Sequence, residues 1–130
     1  MIYQNNIIDK EKIKLIDYQI IATIIFIMST IFSIFLLYNK KLIILNKEPI
    51  LQGKESKIAD NVNSTIVLII VLFLQYLNYK SKNISELENE DIAPINLDIT
   101  ATYLLIIASI ISLYSAYISP EEGTESISLV

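Results

Sequence analysis

Three stretches of the chain carry no charged residue: positions 18–39, 61–79 and 99–120. They hold 22, 19 and 22 residues. A transmembrane helix needs about 17–25 mostly apolar residues to cross roughly 30 Å of hydrocarbon. The pattern therefore predicts an all-α integral membrane protein with three transmembrane helices, spanning about 18–39, 61–79 and 99–119. Short connections join them, and a short polar tail at 120–130 completes one three-span domain over 1–130. A soluble three-helix bundle would need a polar stripe at helical spacing on each helix. Between Ile20 and Leu37 the polar residues are Thr23, Ser29, Thr30 and Ser33, and between Ile66 and Leu77 Gln75 stands alone. Such helices are apolar nearly all round. Tyr18 and Tyr38 flank the first span, and Tyr76, Tyr79 and Tyr117 repeat the placement, as expected of an aromatic belt at the membrane surfaces.

The flanks refine this picture. Lys10, Lys12 and Lys14 precede the first window. A signal-peptide core runs about 7–15 residues and ends at a small-residue cleavage site. This window is longer and ends Phe35-Leu36-Leu37-Tyr38, so it reads as a retained anchor. The charged stretch before it is expected to be the start of the same helix. The first connection holds two apolar runs around Asn46-Lys47-Glu48-Pro49, which leaves two readings for 41–53: a small hairpin, or an extension of the first helix followed by an interfacial stretch. Ser56 and Asp60 are candidate caps for the second helix. The second connection carries the acidic run Glu86-Leu87-Glu88-Asn89-Glu90-Asp91, and Pro94 ends any helix that reaches it. The tail after Pro120 is expected to be disordered.

Composition excludes several functions. The chain has 10 basic residues, all Lys, 14 acidic residues and a net charge of −4, which offers nothing to nucleic acid. Without Cys or His there is no disulfide, thiolate metal site, thiol nucleophile or Ser/His/Asp triad. Gly53 and Gly123 are the only glycines, too few for a phosphate loop. The acidic run lacks the alternating pattern of a calcium loop. No catalytic, cofactor-binding or metal-binding residue is therefore expected, and no cofactor. No charge lies inside any span, although proton relays and ion paths are built on such charges. Asn63-Ser64-Thr65 and Asn83-Ile84-Ser85 match the glycosylation sequon, a short pattern that matters only in a eukaryotic secretory setting. Residues 20–38 and 99–117 match at seven positions, a likeness we attribute to shared apolar composition.

The clearest pattern lies on the third span. Ala101, Leu105, Ala108, Ser112, Ser115 and Ser119 step by three and four and so share one helix face. In lipid, helices gain nothing hydrophobic by pairing, so small residues and interhelical hydrogen bonds drive association. Ala22, Ser29 and Ser33 make a similar face on the first span. The candidate helix-packing residues are thus Ala22, Ser29, Ser33, Ala101, Ala108, Ser112 and Ser115. Spans one and three are expected to touch, leaving span two more open to lipid. The Ser-lined face could instead serve a second copy or another membrane protein, or line a pore. Gln75, near one end of its span, is read as interfacial.

The functional expectation is a non-enzymatic accessory or self-associating membrane component whose partners are the bilayer and a second copy or another membrane protein. The alternative is a holin-like or pore-forming protein. In size and span count the chain resembles three-span phage holins, but those tend to have basic tails, and here Glu121, Glu122 and Glu125 stand in the tail. Lysines tie between the two sides when all segments are counted. The two connections alone, five lysines against two, lean toward the N-terminus outside and the C-terminus inside.

Overall fold

The computed structural model describes residues 2–119, with side chains from Ile7 onward. The chain forms three helices: α1 (Ile2–Ile44), α2 (Gly53–Leu87) and α3 (Ala93–Ile118). Their 43, 35 and 26 residues give lengths of about 64, 52 and 39 Å at roughly 1.5 Å per residue. All three are long and apolar enough to cross a bilayer, and α1 and α2 also extend well past it. Ile20, Ile24, Ile31 and Ile34 are more than half exposed on α1, as are Leu104, Ile107 and Ile111 on α3. A water-soluble monomer does not carry an apolar band this large; acyl chains are its natural solvent. Hydroxyls on the same exposed surfaces bond within their own helix. Thr23 donates to the Gln19 carbonyl at 2.7 Å and Thr30 to the Phe26 carbonyl at 3.0 Å.

Helix pairing departs from the sequence expectation. Among the described residues, α2 packs against both α1 and α3, while α1 and α3 do not touch. The second helix, expected to face lipid, is the central one.

The reason lies in two rows of residues spaced by seven. On α1 Leu15, Ala22, Ser29 and Leu36 are buried; on α2 Ser56, Asn63, Ile70 and Leu77 are buried. The Ser29–Asn63 hydrogen bond pins these antiparallel rows. It brings Ala22 level with Ile70, Leu36 with Ser56 and Leu15 with Leu77, so a small side chain meets a large one at two of the four levels. A strict seven-residue repeat imposes a left-handed wrap, as in a coiled coil.

A second seam joins α2 to α3. Ser64, Val71, Asn78 and Ser85 are buried or half-buried on α2, as are Thr102, Ser109 and Ala116 on α3. At about 100° per residue, this α2 row lies roughly 100° around the axis from the row that meets α1, and its neighbour Gln75 roughly 140° from it. One helix thus serves two partners that do not pack on each other among the described residues.

Asparagines stop the first two helices. Asn46 and Asn89 have φ of 56° and 55°. Around Asn46, Lys47 N–H bonds the Leu42 carbonyl and Asn46 N–H the Ile43 carbonyl; around Asn89, Glu90 bonds Ser85 and Asn89 bonds Glu86. These are paired Schellman closures, with Asn in the left-handed position that Gly usually takes. The hairpin reading of 41–53 gives way to the helix extension, since α1 runs on to Ile44 and no strand forms among the described residues. Asn39, fully buried, then clamps the returning loop: its amide donates to the Leu51 carbonyl at 2.9 Å and accepts from the Leu51 N–H at 2.8 Å. Ser56 and Asp60 lie inside α2 rather than capping it, because the helix starts earlier, at Gly53. Pro94 sits in the first turn of α3, where a missing N–H costs nothing. The tail expected to be disordered, 120–130, lies outside the described residues.

The left-handed closures set a test. Asn89→Gly should leave stability nearly unchanged. Asn89→Val should lower it by about 1–2 kcal/mol, the cost of a Cβ-branched residue held at positive φ, as read by denaturant unfolding in detergent micelles.

Candidate functional site: polar clusters on the helix seams

Two polar clusters lie within the seams. The first is closed by three residues. Ser29 Oγ donates to Asn63 Oδ1 at 2.6 Å, Asn63 Nδ2 donates to Ser33 Oγ at 2.8 Å, and Ser33 Oγ donates to the Ser29 carbonyl at 3.1 Å. Each serine hydroxyl thereby has both a donor and an acceptor role available to it, and the Asn amide is engaged through both its oxygen and its nitrogen. In a low-dielectric surround such closure matters, because an unpaired amide there costs several kcal/mol.

The second cluster joins one turn of α2 to one turn of α3. Gln75 Nε2 donates to the Ile99 carbonyl at 3.0 Å, and Asn78 Nδ2 donates both to Gln75 Oε1 at 3.1 Å and to Thr102 Oγ1 at 3.0 Å. Tyr79 and Tyr103 place their hydroxyls 2.6 Å apart at the edge of the same turn. Gln75 is 6% exposed. It does not reach for the headgroups as the sequence suggested, because a backbone carbonyl on α3 lies within reach and burial beside Thr102 satisfies the amide without water.

The candidate packing residues divide by helix. Ala22 and Ser29 are buried and Ser33 is half-buried, on the side of α1 that meets α2 rather than α3. Ala101, Ala108 and Ser112 are exposed, and Ser115 is half-buried with its carbonyl accepting from Ser119 Oγ at 2.6 Å. The α3 row that packs is Thr102, Ser109 and Ala116, roughly a quarter-turn away. Asn63 is the seam residue that sequence reasoning missed: it was visible only as part of a sequon, and buried in α2 it is no glycosylation acceptor. A seven-residue alignment of Ser56, Asn63, Ile70 and Leu77 is the signal that would have found it.

Outside the apolar stretches one ion pair ties the start of α1 to the α2–α3 connection. Lys12 Nζ lies 2.5 Å from a Glu88 carboxylate oxygen and 3.7 Å from one of Glu90. The N-terminal stretch and the second connection are therefore on one side of the helix layer, as three spans require. The hydrogen bond to Glu88, reinforced by the charges of Glu88, Glu90 and Asp9 against partial desolvation, raises the Lys12 pKa above the ordinary lysine value. A raised lysine pKa means that the contribution of the contact is whole below the ordinary value. It is lost only as pH rises through the raised one, so it does not vary across neutral pH.

No family matches the chain, and neither a curated protein nor a solved structure is similar to it. The functional reading rests on the geometry.

The Asn63 cluster predicts a graded response. Asn63→Val should destabilise the α1–α2 pair by about 0.5–2 kcal/mol, within the range measured for interhelical hydrogen bonds in membranes, and Ser33→Ala should cost less. Steric trapping or denaturant unfolding in bicelles measures both.

Proposed function

We propose that this protein is a non-enzymatic, multi-pass membrane component that associates, through the small-residue face of α3, with a second copy of itself or with another membrane protein. The observation that supports this reading is the exposure of Ala101, Ala108 and Ser112. On the same helix, the neighbouring small row packs against α2, so the exposed row is surplus to the internal fold. Its small side chains permit the close backbone approach on which helix association in lipid depends. Both polar clusters satisfy their own members and serve as helix fasteners. That use of the chain's polar residues favours a structural role over chemistry. The first connection, with five lysines against two in the second, favours an orientation with the N-terminus outside and the C-terminus inside.

Because the chain has no cysteine, single-cysteine variants read the association directly. Oxidation in native membranes should crosslink Ser112→Cys or Ala108→Cys into dimers, or else a photoreactive group attached to the same thiol should capture one partner in fixed proportion. Ser109→Cys, on the α2-facing row, should stay monomeric. Monomers at all three positions, with no partner captured, would overturn the reading.

A further inference from the structure

A cleft of about 360 Å³ opens between α1 and α2, at the lower end of the roughly 300–1,000 Å³ typical of ligand pockets. Leu15 and Leu77, the last pair of the seam, form its floor. Its walls are aromatic: Tyr18 meets Phe73 edge-on with centroids 6.0 Å apart, and Phe73 stacks on Tyr76 at 6.2 Å. Lys14 and Lys80 stand at the rim. Phe73, Tyr76 and Lys80 lie on the side of the α2 seam row away from the row that meets α3. The cleft therefore opens to the surroundings rather than into the helix layer.

Its depth is what gives the cleft meaning. Tyr79 is the last residue of the α2 uncharged window and Lys80 lies just outside it; the seam register sets Lys14 level with Asn78 and Tyr18 about one turn deeper, level with Leu74. The rim is thus at the boundary between hydrocarbon and headgroups, and the aromatic walls lie immediately below it. Going outward, the order is apolar floor, aromatic wall, two ammonium groups. Glu11 also lines the cleft, within electrostatic reach of Lys80, leaving a net charge of +1 on the three ionisable groups. Lys80 is held over the wall, its Nζ 5.4 Å from the centroid of the Tyr76 ring. Contact with the Tyr76 side chain, helped by the Glu11 carboxylate and Tyr18 against partial desolvation, raises its pKa above the ordinary lysine value, so it stays charged. Among the described residues neither Lys14 nor Lys80 is in an ion pair, in contrast to Lys12.

We propose that this cleft binds an anionic phospholipid, its phosphodiester between Lys14 and Lys80 and its acyl chains running down over Tyr18, Phe73 and Tyr76. The single negative charge complements the rim, and a headgroup hydroxyl is placed to donate to Glu11. A zwitterionic choline head brings no net charge and no donor for that carboxylate.

The chain has no tryptophan, so Phe73→Trp puts a lone fluorescent reporter in the wall. The full-length variant is reconstituted into phosphatidylcholine vesicles, with brominated phosphatidylglycerol or brominated phosphatidylcholine titrated in. The expected result is quenching at a lower mole fraction of the glycerol lipid, with Lys14→Gln or Lys80→Gln weakening that preference about fivefold each. Lys10→Gln and Lys82→Gln, lysines outside the cleft on the same side, should leave it unchanged. Equal quenching by the two lipids would overturn the proposal. So would a preference that survives loss of both rim lysines, or one that falls equally with Lys10 and Lys82, the mark of a diffuse basic surface. Helical circular dichroism confirms that each variant is folded, and the single lysine variants stand alone if the double one is not.

Discussion

The antiparallel register of α1 against α2 is the constraint on which the rest of the structure depends. Two helices surrounded by acyl chains gain no hydrophobic free energy by sliding into one alignment rather than another. Register must come from shape and from polar groups that have few acceptable positions. Here Ser29, Ser33 and Asn63 supply the polar part, while the seven-residue rows supply the shape. A slip of one residue would take Asn63 off both serines and turn Ala22 and Ile70 away from each other. The Asn39–Leu51 clamp then holds the connection at the far end, and the Lys12–Glu88 ion pair closes the near end. The seam is fastened at both ends and in the middle by interactions of different kinds.

With that register set, α2 becomes the hub. Its two seam rows diverge around its axis, so among the described residues α1 and α3 each pack on α2 and not on each other. This arrangement has a mechanical consequence. The α2–α3 pair is fastened chiefly at one turn, where Gln75, Asn78 and Tyr79 meet Ile99, Thr102 and Tyr103. That turn is close to the short connection, and the remaining contact along Val71, Ser109 and Ala116 is made of small and medium side chains. The fastened end of the pair is also the end at which α1 carries the Lys12 ion pair and the aromatic cleft. Polar and aromatic fixings are therefore concentrated at one membrane surface.

Fold class was legible in the sequence because charge exclusion over three windows of spanning length needs no knowledge of partners. Helix pairing was not, and the reason is physical. A helix that faces lipid on one side and protein on the other is apolar on both, so hydrophobic periodicity carries no directional information. Small residues were the remaining guide, and α3 has two small rows side by side. Ala101, Ala108 and Ser112 drew attention because that face includes more serines further along. Thr102, Ser109 and Ala116 are the ones that pack, and they are chosen by Asn78 and Gln75 on α2 rather than by anything α3 shows alone. On α1 the face was legible, since Ala22, Ser29 and Ser33 are the small residues of a helix otherwise rich in isoleucine; its partner was not. Gln75 stands near a window end and Asn63 within a sequon, and the importance of both lies in what stands opposite.

The same register creates a mismatch that the separate windows hide. The midpoint of the α2 window is Ile70 and that of α3 is Ser109, and the α2–α3 register places these side by side. The midpoint of the α1 window falls at Met28 and Ser29, yet Ile70 is level with Ala22. The apolar stretch of α1 is therefore displaced by about seven residues, or roughly 10 Å, from those of its neighbours. Its last two turns, around Phe35 and Tyr38, run beside the stretch of α2 that carries Lys54, Lys57 and Asp60. A bilayer normal to the helices cannot match both sides. Slippage of the seam would remove the mismatch only by giving up the Ser29–Asn63–Ser33 bonds. Tilting the helices or deforming the bilayer on one side costs fractions of a kcal/mol per Å, spread over soft degrees of freedom. The register is the stiffer element, so the lipid and the tilt adjust to it. The apolar girdle of this protein is accordingly offset along α1 relative to α2 and α3 and does not run level around the helix layer.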